Sequence, residues 1–146
     1  PIGSRGLGDV YKRQVMSRAQ RKGKVRTLLG RLCRFPLWEP NQFGIHKPLP
    51  HDDALAEHGP GIRRAYTYKA LNKLIQGSAA DMTKKAMIDL HAEGIIPHLQ
   101  VHDELDISIQ NKKEVEKIRD IMESTVSLEV PNKVDYEEGD NWGSIK

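Results

Sequence analysis

The chain has 146 residues with 23 Lys/Arg against 20 Asp/Glu, a formal net charge of +3, and is 38% hydrophobic and 5% aromatic. That length carries a modest core rather than two, so one domain is expected. A single cysteine, Cys33, excludes an internal disulfide, and no apolar run approaches the roughly 18–20 residues of a membrane-spanning helix. The start also lacks the apolar stretch of a signal peptide, so a soluble, intracellular chain with no membrane partner is expected. The charge is split unevenly: residues 1–92 hold 17 Lys/Arg against 7 Asp/Glu, and residues 93–146 hold 6 against 13. A polyanion would meet the first part and a metal cation the second.

Residues 1–14, PIGSRGLGDVYKRQ, show neither helical nor strand period. They resemble translated sequencing-adapter sequence and are set aside as a non-native segment, which would leave the native chain, 15–146, cut at its amino end. Val15 to Lys22 reads as the last turns of a helix, with basic residues in the final turn and Gly23 closing it. Lys24 to Phe35 alternates around Gly30 and predicts a strand pair or bulged strand carrying Arg26, Arg31 and Arg34. Residues 36–61 contain five prolines and several Gly/His turns and predict a long surface loop. Arg63 to about His91 predicts the strongest helix, with Leu71, Leu74, Ile75, Ala79, Met82, Ala86 and Leu90 on one stripe. Beside that stripe Asn72 and Gln76 share a face, amid the small residues Gly77, Ser78, Ala79 and Ala80 that let another backbone approach.

The most informative segment is LQVHDELD, residues 99–106. Runs alternating like strands flank Asp103 and Glu104, so the two acids fall where the chain reverses. Adjacent carboxylates at a tight reversal repel, and a turn made only for turning would take Asn-Gly or Asp-Gly. A cation at that point resolves the conflict. Hard oxygen donors on a hairpin suit Mg²⁺, which takes one or two protein carboxylates and leaves its other positions to water and phosphates. Against this, most Asp-Glu pairs are simply solvated, and a histidine such as His102 is more often a surface residue than a ligand. After the hairpin, Lys112 to Leu128 predicts a scaffold helix, Lys133 to Glu138 a short final strand, and Trp142 a carboxy-terminal anchor.

Taken in order, AQRKGKVRTLLGR, RRAYTYKALNKLIQGSAADMTKKAM, LQVHDEL and the terminal GDNW resemble the carboxy-terminal part of family A DNA polymerases, the DNA polymerase I family, over about residues 18–146. The long 36–61 segment departs from the shorter cellular pattern and points to a phage type. The resemblance implies an α+β fold: part of a polymerase palm, a small antiparallel sheet with a carboxylate-bearing hairpin and packed helices. It implies that Asp103 is a ligand of the catalytic Mg²⁺ ions, that Glu104 is the supporting carboxylate, and that His102 lies close to the primer terminus. It implies that Asn72 and Gln76 face the minor groove of the primer-template duplex. Arg31 matches the first arginine of the family's Gly-Arg-Arg motif; Leu32 stands where the second is usual, and Arg34 could substitute for it, with Arg26 a further basic residue of the same strand pair.

The implied activity is template-directed DNA synthesis from deoxynucleoside triphosphates in the cytoplasm of a bacterial or phage-infected cell. Nothing in these residues matches the family's motif A aspartate or its fingers helix. The chain is therefore expected to be an incomplete fragment, inactive without an amino-terminal part of the same polymerase. Two other classes stand beside this one. The basic first half would serve a stand-alone nucleic-acid-binding module without a metal. A small metal-dependent nuclease would need further Asp, Glu or His ligands.

Overall fold

The computed structural model describes residues 2–145, with side chains from residue 8 onward. Where length suggests a single core, the chain forms two compact units, residues 1–78 and 79–146. The architecture is mixed α+β: among the described residues there are four α-helices, two two-stranded sheets and one three-stranded sheet, with every pairing antiparallel.

In the first unit, helix α1 (Ile2–Lys22) ends as its sequence indicates. Gly23 takes φ 66°, a left-handed conformation that suits glycine, and its N–H donates to the Ala19 carbonyl at 2.8 Å. The residues before Val15 are helical too, although they carry no apolar period. Strands β1 (Lys24–Arg26) and β2 (Leu32–Arg34) form the expected hairpin, with Val25 opposite Cys33. Gly30, at φ 89°, sits in its turn. Alternation turns Val25 inward, where it joins Ala19, Phe35 and Ala70 in the core.

Residues 36–61 are not the long loop expected. They hold β3 (Leu37–Pro40), β4 (Leu49–Pro50) and α2 (His51–His58), with residues 41–48 and 59–61 irregular. Two of the prolines that signal a loop, Pro40 and Pro50, instead end β3 and β4, a position that proline tolerates, and Pro50 leads directly into α2. Asp52 and Asp53 then occupy the first turn of α2, where the helix dipole favours acids, and Ala54 is fully buried.

The next helix also begins later than predicted. Residues Ile62–Arg64 form β5 on the other edge of β3, with Trp38 opposite Arg64. A 3₁₀ turn (Thr67–Lys69) follows, and α3 spans Ala70–Ala92. Arg64 is taken from the helix by its partners. Its guanidinium lies 4.5 Å over the Trp38 ring, donates from Nε to the Gln20 carbonyl at 3.0 Å and from Nη1 to the Phe35 carbonyl at 3.2 Å. The Gln20 amide in turn donates to the Arg64 carbonyl and to Thr67 Oγ1.

In the second unit, α3 buries Ala86 and Leu90 and is closed by Gly94 at φ 75°. Strands β6 (Leu99–Val101) and β7 (Glu104–Asp106) form the expected hairpin. Helix α4 (Lys112–Ser124) is capped by Asn111, whose Oδ1 accepts from the N–H groups of Lys113 and Glu114. Asp89 accepts from Lys85 at 2.9 Å and from Thr125 Oγ1 at 2.5 Å, which ties the chain after α4 to α3. These partners, Thr125 first, hold the Asp89 carboxyl below its ordinary value of 3.8.

Two expectations fail here. Residues 133–138 form no strand, and the Val134 N–H donates instead to Glu123 Oε1 at 2.9 Å. Trp142 is 61% exposed and anchors nothing, because its 3₁₀ turn (Trp142–Ser144) is held locally by the reciprocal Asn141–Ser144 capping box.

Candidate nucleic-acid interface and carboxylate hairpin

Hairpin β6–β7 reverses through two residues, His102 and Asp103, with Val101 paired to Glu104. His102 has φ 54° while Asp103 does not share the positive φ, the pattern of a type II′ turn, whose first central position ordinarily takes glycine. Holding a histidine there costs on the order of 1 kcal/mol, and strain of this kind collects at functional turns. The Gln100 amide steadies the reversal by donating to the His102 carbonyl. Asp103 is thus presented at the tip, exposed, and makes no hydrogen bond among the described residues.

Glu104 begins β7, and the two-residue alternation puts Asp106 on its face. Asp106 is the site residue that the sequence reading missed, though its signal was present: Glu-x-Asp within a strand stacks two carboxyls on one side. A hydrogen bond to the Asp106 side chain and that group's charge, with burial, Asp103 and Glu137 adding less, raise the Glu104 carboxyl above its usual 4.5. Asp106 Oδ2 is itself buried without a hydrogen-bond partner. Acids whose charges repel are a donor set that favours a cation. Among the described residues no three His, Cys, Asp or Glu side chains converge on one metal position. The hairpin nevertheless fits Mg²⁺, which needs only one or two protein carboxylates and takes its remaining oxygens elsewhere.

In the first unit the β1–β2 turn docks on α3. The Leu28 N–H donates to Ser78 Oγ at 3.0 Å, and Arg31 Nη2 donates to the Gly77 carbonyl at 3.0 Å. The small residues of the GSAA run permit this approach: a Cβ on Gly77 would lie 2.8 Å from the Thr27 methyl. Between turn and helix runs a shallow groove lined by Thr27, Arg31, Leu32, Lys73 and Gln76, with Cys33 at its side. Two of the predicted DNA-facing residues, Arg31 and Gln76, therefore meet on one surface. Asn72 lies one turn before Gln76 and is exposed. Arg34 is exposed on β2 and does not line the groove, and Arg26 closes its own turn by donating to the Gly30 carbonyl at 2.8 Å. On α3 the apolar stripe is narrower than predicted, for Ile75 is 58% exposed and Ala79 is exposed as well.

The chain belongs to DNA polymerase family A, whose family-wide sequence pattern matches residues 9–144. It is 37% identical over 127 residues to a DNA-directed DNA polymerase of Pseudomonas phage M6, covering 87% of this chain and 16% of that protein. It is 37% identical over 146 residues to DNA polymerase I of Bacillus caldotenax, covering 93% of this chain and 15% of that protein. Its structure is similar to the POL domain of Pol1 from M. smegmatis in complex with DNA primer-template and dNTP, with a TM-score of 0.66, 29% sequence identity and coverage of 94% of this chain and 23% of that one. The chain thus spans about a sixth of the length of these curated relatives. Among the described residues no helix is long and apolar enough to cross a membrane.

Proposed function

We propose that this chain is the carboxy-terminal palm portion of a template-directed DNA polymerase that extends a primer 3′-hydroxyl with deoxynucleotides. It would act in the cytoplasm, with primer-template DNA, deoxynucleoside triphosphates, Mg²⁺ and an amino-terminal part of the same enzyme as partners. The observation that carries the reading is the family match across nearly the whole chain, with the VHDE segment on a two-residue hairpin. Asp103 is the residue that would hold Mg²⁺, and Glu104 the supporting carboxylate. Mg²⁺ bound there would supply the charge neutralisation that phosphoryl transfer to a hydroxyl requires. Arg31 offers a fork of donors for a backbone phosphate. Gln76 and Asn72 offer amide N–H donors for the acceptors that every base pair presents in the minor groove, which lets them probe shape without reading sequence.

Changing Gln76 to alanine in a complete polymerase carrying this segment should slow extension by about 3- to 10-fold, the value of one lost hydrogen bond. It should also shrink the penalty against a mispaired primer end, because a mispair displaces the acceptors that the amide tests. Gln76 is exposed, so the melting temperature should hold. A Gln76→Ala enzyme that melts early yet keeps wild-type extension and discrimination would make the residue scaffold only. The 146-residue chain by itself should leave a labelled primer unextended, since its residues contain no match to motif A or to the fingers; sustained incorporation by a contaminant-free sample would refute that.

A further inference from the structure

The geometry points to Lys73 as a second phosphate-contacting residue of the α3 groove, in the role that the sequence alone would give to Arg34. This rests on the reading of the groove as a duplex-facing surface and adds a positioning residue to it. A sugar-phosphate strand is held where cations stand on both walls of its path. On the hairpin wall the cation is Arg31, fixed to the Gly77 carbonyl. On the helix wall it is Lys73, one turn before Gln76 on the same side of α3.

The Lys73 side chain is exposed on α3 with an aromatic ring beside its ammonium. The ammonium sits 5.5 Å from the centroid of the Phe35 ring. Phe35 is only 2% exposed, so the ring beneath the ammonium is part of the core and does not move with the side chain. No salt bridge among the described residues engages Lys73, and no carboxylate lines the groove. Its charge therefore remains for an anion. Arg34 lies on the same hairpin but outside the lining. An amide flanked by two cations is a site for a duplex edge, with phosphates at the sides and base acceptors in the middle.

The test is the salt dependence of duplex binding by the full 146-residue chain, followed by anisotropy of a labelled primer-template between about 50 and 200 mM KCl. Lys73→Gln should make the slope of log K against log salt shallower by about 0.9, the release of one counterion, with affinity several-fold lower at the low-salt end. Lys73→Arg should restore both. Lys73→Met keeps the stem against Phe35 without the charge, and should give the same shallower slope if Lys73→Gln melts early. Lys113→Gln, which removes one charge from α4, is the charge-matched control. A wild-type slope in Lys73→Gln and Lys73→Met, with or without a lowered melting temperature, would reduce Lys73 to a structural contact of Phe35. Loss of the unit in Arg34→Gln alone would return the role to Arg34. Absence of salt-dependent binding by the wild-type chain would instead overturn the duplex reading of the groove, and this assignment with it.

Discussion

Asp103→Ala, introduced into a complete family A polymerase carrying this segment, should cut nucleotide incorporation by about 10²–10³-fold or more while leaving primer-template affinity within a few-fold. The separation follows from where Asp103 sits. It is exposed at the tip of the β6–β7 hairpin and makes no hydrogen bond among the described residues, so its removal leaves no buried partner unsatisfied. Taking one negative charge from beside Glu104 also relieves repulsion, and the fold should be unharmed or slightly steadier. What is lost is a charge that matters as negative charge shifts in the transition state rather than in the bound duplex. Single-turnover incorporation, duplex anisotropy and thermal melting on the same preparation separate these terms. Near-normal turnover would remove Asp103 from the metal site. Equal losses in turnover and duplex affinity would move it to DNA binding. Glu104→Ala should cost less, because a supporting carboxylate is partly replaced by water.

Gly23→Ala is expected to be the most damaging small change to the first unit, lowering its stability by about 2–3 kcal/mol. One part is local: a residue with a Cβ pays about 1–2 kcal/mol to hold the left-handed conformation at φ 66°. The other is a collision. A Cβ at this position would stand 2.6 Å from Arg64 Cζ, and the guanidinium has little room to retreat. It is bonded to the Gln20 and Phe35 carbonyls and stacked on Trp38, and each hydrogen bond it gives up is worth about 0.5–1.5 kcal/mol. For a unit of this size the loss corresponds to a melting temperature lower by roughly 10 °C. Circular dichroism melts of the Gly23→Ala chain decide it, and a shift under about 2 °C would mean that Arg64 repacks freely. Arg64→Lys should then be nearly as harmful in the wild-type background, since lysine cannot donate along both directions at once.

The parts legible from the amino acids alone are those set by interactions a few residues apart. The end of α1 at Gly23, the β1–β2 turn at Gly30 and the reversal between Val101 and Glu104 are of this kind. Each follows from sterics or two-residue alternation, and so does the exposure of Asp103 at a hairpin tip. The family motifs are likewise local strings, which is why the polymerase kinship could be read without a structure. Tertiary structure decided what depends on a partner far along the chain. Arg63 and Arg64 have helical neighbours in sequence, yet pair with Glu39 and Trp38 in a sheet. Pro40 and Pro50 look like loop until the strands that they end are in place. Lys73 faces Arg31 only because Gly77 lets the β1–β2 turn settle on α3. Local rules determine which way each residue's backbone runs, but a groove or a sheet exists only once two distant segments have exchanged solvent for each other, and that depends on the free energy of the whole fold.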